Sequence, residues 1–174
     1  MAHFAVTAIG RDRPGIVAAL TGALHALGGN LEDVSSTILR GHFTMMLVVD
    51  APSNADELRA SLEASAGPLG VTVTVSDVEE GAPDRPTATH VVSVYGSDHP
   101  GIVAGIAEAL AGAKANITEL SCRLTSAEQP VYVMVAEVAI PPGVDPEGLA
   151  TDVAAAGRDL GVDVSFSPID VETL

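Results

Sequence analysis

A nine-residue block returns 86 residues further along this chain: Gly10-Arg11-Asp12-Arg13-Pro14-Gly15-Ile16-Val17-Ala18 recurs as Gly96-Ser97-Asp98-His99-Pro100-Gly101-Ile102-Val103-Ala104. Ala23-Leu24 and Asn30-Leu31 come back at the same spacing as Ala109-Leu110 and Asn116-Ile117. A spacing held from Gly10 to Leu31 marks a duplicated unit, so the 174 residues fold as two small domains rather than one large one. Beyond this stretch Met45 answers to Met134 at a spacing of 89, which places a three-residue insertion near Ser126–Pro130 of the second copy, in a loop. Glu79–Thr87 is rich in Gly and Pro and poor in apolar residues, the composition of a linker. The predicted division is a first domain over 1–78, a linker over 79–88 and a second domain over 89–174.

Each copy carries the same order of periodicities. In the first, Phe4–Ile9 is a buried-strand run ended by Gly10, and Pro14 suits the first turn of a helix, where its missing N–H costs nothing. Ile16, Val17, Leu20, Leu24 and Leu27 then form one apolar stripe before Gly28-Gly29 stops the helix. Leu31–Leu39 and Phe43–Val49 flank Arg40-Gly41-His42 as a hairpin, Asn54–Ala66 reads as a second helix, and Val71, Val73 and Val75 alternate in a last strand. The second copy repeats this over Val91–Tyr95, Pro100–Ala113, Ile117–Leu124, Val131–Ile140, Asp145–Asp159 and Val162–Phe166. The order βαββαβ predicts an α+β fold: two tandem ferredoxin-like domains, each a four-stranded antiparallel sheet with two helices on one face. Met45–Val49 and Val131–Val135 are apolar on consecutive positions, so both faces of that strand call for cover; the face the helices leave is expected to pack against the sister repeat or another chain, with a homodimer as the expected outcome.

Apolar residues make up 47% of the chain but aromatics only 3%, so the cores must be aliphatic. A net charge of −15 repels phosphate, and the eight Lys and Arg form no cluster, which disfavours direct contact with nucleic acid or an anionic membrane. Cys122 is the only cysteine, which rules out an intrachain disulfide; it is expected to be a half-buried strand residue. His3, His25, His42, His90 and His99 fit no metal-ligand spacing, and no metal or cofactor is expected. The N-terminal residues lack a signal-peptide pattern and no apolar run reaches ~18 residues, so a cytoplasmic location is expected.

The duplicated loop carries the candidate chemistry. Pro14 and Pro100 disfavour helical geometry just before them, so Arg13 and His99 are the predicted N-caps, with Asp12 and Asp98 immediately outside. The first N–H groups of the helix lack intrahelical partners and carry the positive end of its dipole, while Gly15 and Gly101 admit a ligand close to the backbone; a carboxylate suits that position. The neighbouring Asp could receive an ammonium group or accept hydrogen bonds from the helix itself. Asn30 and Asn116 open the third element of each copy, as turn residues or as ligand contacts.

The βαββαβ order with Asp-Arg-Pro-Gly-Ile-Val and an Asn opening the second strand resembles the ACT domain, a regulatory module of amino-acid metabolism. A tandem pair without an enzyme domain is similar to the glycine cleavage system transcriptional repressor group. The resemblance implies small ligands, often amino acids, bound at interfaces between paired domains. It implicates Asp12, Pro14, Gly15 and Asn30 in copy one and Asp98, Pro100, Gly101 and Asn116 in copy two, with Arg13 and His99 as further candidates. If transcription is regulated, the acidic field argues that it acts through a regulatory protein partner and not by direct operator contact. Arg11 and Arg13 become Ser97 and His99 in the second copy, so equivalence of the two loops is not implied. Two alternatives remain: a protein-interaction module without ligand, and an acylphosphatase-like hydrolase using a loop Arg with Asn30, although the loop pattern of that family is missing.

Overall fold

The computed structural model describes residues 2–78, 86–125 and 130–169. Backbone contacts divide the chain into two compact units, Met1–Pro83 and Asp84–Leu174. Most of the expected linker (79–85) and most of the expected insertion (126–129) lie outside the described residues.

The first unit runs β1 (Ala2–Arg11), α1 (Ile16–Ala26), β2 (Asn30–Leu39), β3 (His42–Ala51), α2 (Ala55–Ala66) and β4 (Val71–Asp77). Its antiparallel sheet has the order β2-β3-β1-β4, the two central strands being the most apolar. Phe4, Val6 and Ala8 of β1 alternate with solvent-side residues, as do Phe43, Met45, Leu47, Val49 and Ala51 of β3. These buried side chains meet Ile16, Leu20 and Leu24 of α1 and Leu58 and Leu62 of α2. Full burial of one such aliphatic side chain is worth roughly 1.5–3 kcal/mol, which lets a core without Trp hold the unit together. The hairpin between β2 and β3 turns on Arg40 and Gly41 at φ of 50° and 78°, the paired left-handed geometry of a two-residue turn.

The second unit repeats this as β5 (His90–Gly96), α3 (Ile102–Gly112), β6 (Asn116–Leu124), β7 (Tyr132–Ala139), α4 (Pro146–Asp159) and β8 (Asp163–Pro168), in the sheet order β6-β7-β5-β8. Val92, Val94, Met134, Ala136 and Val138 face Ile106, Leu110, Leu149 and Val153 of the helices. The copies even share an irregularity: pairing of the edge strand skips one residue between Leu31 and Asp33, and again between Ile117 and Glu119. Such bulges mark places where a strand is re-aimed.

Four expectations are corrected. Pro14 and Pro100 do not begin the helices, and Arg13 and His99 are not their N-caps. The caps are Gly15 and Gly101, at φ of 96° and 100°, and the helices start at Ile16 and Ile102. The Pro-Gly pair makes a turn through left-handed backbone that only Gly adopts without strain, and this outweighs the preference of Pro for a first helical turn. Val17 is not part of the buried stripe; it is about half exposed (47%), because the helix meets the sheet through Ile16, Leu20, Ala23 and Leu24. Cys122 is exposed rather than half-buried, since β6 is an edge strand that the helices do not cover.

Candidate ligand-binding loops

In the first repeat the backbone N–H of Asp12 donates to the Gly41 carbonyl at 2.9 Å, fixing the loop to the β2–β3 turn. Pro14 and left-handed Gly15 then swing the chain into α1. The first intrahelical bond runs from the Ala19 N–H to the Gly15 carbonyl, and no side chain caps this end. The amides of Ile16, Val17 and Ala18 therefore have no helical acceptor, and Asp12 does not supply one. Of the two roles open to that carboxylate, helix capping is not the one adopted.

The loop borders an open depression of about 560 Å³ whose walls include Asp12, Arg13, Gly15, Val17, Ile38 and Phe43. A carboxylate, a guanidinium and unspent amides stand at one side of it, and aliphatic and aromatic carbon at the other. Among the described residues no hydrogen bond or ion pair engages the side chains of Asp12 or Arg13. Nothing lies within 4 Å of the position a Cβ would take on Gly15. This combination suits a small zwitterion bearing some apolar surface.

Asn30 is not part of that depression. It pairs with Asp50, which also pairs with His3 at the start of β1, whereas the loop follows Arg11 at the end of β1. Eight strand residues separate the two levels, about 26 Å at ~3.3 Å per residue. The second repeat has the same separation. Asn116 pairs with Ala139 and lines a hollow of about 390 Å³ with Lys114, Thr87 and Pro141, while Asp98 follows Gly96 at the far end of the sheet. Loop and Asn come together only if one domain's loop meets another domain's Asn. The hydrolase geometry, a loop Arg beside Asn30 in one domain, is not formed.

The second loop is also occupied differently. Nε2 of His99 lies 2.8 Å from the Leu160 carbonyl at the end of α4, and Nδ1 lies 3.0 Å from the Pro100 carbonyl. Tyr132 stands where the first repeat has Phe43, beside Cys122 of the neighbouring strand. Burial, then the neighbouring Cys122, then the negative charge of Asp98 push the Tyr132 hydroxyl up to about 12. No sequence pattern announced the His99 contact, because it joins residues 61 apart in the chain.

Near Asn30 the structure adds a polar group that the sequence did not flag. His3 Nδ1 lies 3.4 Å from Glu32, the bulge residue, and Asp50 Oδ1 and Ser53 Oγ are buried without a hydrogen-bond partner among the described residues. Among the described residues no cluster of three His, Cys, Asp or Glu could hold a metal ion, and no helix is long and apolar enough to cross a membrane.

A tandem βαββαβ pair with a Pro-Gly helix start and an unspent acidic loop defines a class of regulatory, ligand-binding modules. Residues 2–76 and 88–167 each match the ACT domain, and the chain belongs to that family. UPF0237 protein MK1213 of Methanopyrus kandleri is 42% identical over 78 residues, covering 43% of this chain and 87% of that protein. A UPF0237 protein of Streptococcus pneumoniae is 39% identical over 72 residues, 40% of this chain and 82% of that one. Among solved structures, an unknown protein from Galdieria sulphuraria superposes with a TM-score of 0.82 at 26% identity, covering 97% of this chain and 98% of its own. A protein provisionally assigned as a glycine cleavage system transcriptional repressor superposes with a TM-score of 0.71 at 22% identity, over 97% of each chain; that likeness is one of fold.

Proposed function

We propose that this chain is a non-enzymatic regulatory protein that binds a small amino-acid-like ligand between ACT domains and passes the signal to a protein partner. The observation that carries this reading is the first loop, where three unspent helix amides, an unengaged Asp12 and an unengaged Arg13 border one depression. The amides suit a carboxylate and Asp12 an ammonium group, while Asn30 or Asn116, brought by another domain, closes the site. Pro14 and Gly15 shape the first loop and Pro100 and Gly101 the second. The net charge of −15 favours a protein partner over direct DNA contact. The full-length likeness to the provisionally assigned repressor directs the reading toward transcriptional control of glycine metabolism.

Thermal unfolding against each common amino acid in turn tests this. A saturable rise in midpoint with one or a few of them is the expected result, because a ligand that binds only the folded state stabilises it by mass action. A midpoint that no amino acid moves, with partner capture intact, would favour the ligand-free interaction module instead.

A further inference from the structure

We infer that His99 latches the second loop to its own domain, so that the chain takes up ligand at the first loop and not at the second. The inference rests on the ligand-binding reading above and concerns which repeat carries it out.

The two loops share a backbone but differ in what lies over it. In the second repeat Leu160 ends α4, where the last carbonyls of a helix lack intrahelical donors. His99 reaches across 61 residues of sequence to that carbonyl with Nε2 at 2.8 Å. A carbonyl only accepts, so Nε2 carries the proton and donates it. The ring is thus held against the end of α4 through Nε2, which leaves that nitrogen unavailable to a ligand.

The Leu160 side chain covers the same place. Its Cδ2 stands 4.0 Å from the Cβ position of Gly101, and its Cδ1 only 2.9 Å from that of Gly105. Repeat one has Ala19 at the position of Gly105, a side chain that would crowd a leucine so placed, and over Gly15 it has open space. Arg13, in the position of His99, makes no hydrogen bond or ion pair among the described residues. Two substitutions, Arg to His in the loop and Ala to Gly in the helix, therefore accompany a loop that is tied down and covered.

Isothermal titration of the full chain with the amino acid that raises its melting midpoint reads the stoichiometry directly. The expected result is one ligand per chain, with affinity lowered about tenfold or more by Asp12→Asn and changed less than about twofold by Asp98→Asn. His99→Ala and Gly105→Ala should speed amide hydrogen exchange across Pro100–Gly105 while leaving Gly15–Ala19 unchanged. Two ligands per chain, or one ligand lost with Asp98→Asn and kept with Asp12→Asn, would overturn the latch and leave the ligand-binding reading standing. Binding by no amino acid overturns both.

Discussion

At the scale of single residues the loops depend on backbone that one residue type adopts cheaply. Gly15 and Gly101 sit at φ of 96° and 100°, and any side chain there brings a Cβ against the neighbouring carbonyl. Gly15→Ala has ample space for its methyl group, so its whole cost is conformational. Chemical denaturation should register a loss of roughly 1–2 kcal/mol. A change below a few tenths would mean the loop relaxes to another turn. Tyr132 offers a pH test. Its ionisation is raised from 10.0 to about 12, so the folded state holds this proton more tightly than the unfolded chain does. The stability this contributes is fully present below 10 and is lost as pH climbs toward 12. Ultraviolet phenolate absorbance should show a late alkaline step that Tyr132→Phe removes.

At the scale of elements, α2 opens with a reciprocal cap: Asn54 Oδ1 accepts from the Glu57 N–H at 2.9 Å, and the Glu57 carboxylate accepts from the Asn54 N–H at 3.4 Å. Asn54→Ala should cost about 1 kcal/mol in a thermal or denaturant melt, and no cost would mean the first turn of α2 is frayed. Across β6 and β7, Glu119 stands opposite Glu137, whereas the first repeat pairs Asp33 with Val48 at the matching register. Like charges directly opposite destabilise a ladder, so Glu137→Gln should raise stability by about 0.2–1 kcal/mol, an effect that shrinks as salt screens the pair. Element identity was legible because apolar pattern decides it: a continuous apolar run beside a Gly turn in β3, alternation in β4, and three- and four-residue spacing in α1 and α2. Helix starts were less legible, since Pro at a first helical turn and Gly in a left-handed turn compete, and only the packed backbone decides between them. The His99–Leu160 contact could not be read at all, because the two residues are brought together by the fold and not by any local pattern.

At the scale of the whole molecule, an unfinished edge and an unfinished site point the same way. All ten residues of β2 are exposed, and the strand offers one unpaired row of backbone groups together with the half-exposed Val34 and Ile38. It contains neither Pro nor Lys, the residues that usually guard such an edge. Glu32 and Asp33 lie at one end of it and Arg40 follows the other, so antiparallel pairing of two copies sets opposite charges side by side. The same antiparallel approach carries the Asp12 loop of one copy toward Asn30 of its partner copy, a meeting that ~26 Å of strand forbids within one domain. We therefore expect a homodimer joined through β2. In sedimentation equilibrium the unaltered chain should run as a dimer at micromolar concentration. Val34→Lys, which places a charge on the apolar side of the edge away from the depression and leaves the core untouched, should shift it toward monomer and weaken ligand binding in parallel. A chain that stays strictly monomeric yet binds its amino acid would rule out this dimer as the device that completes the site.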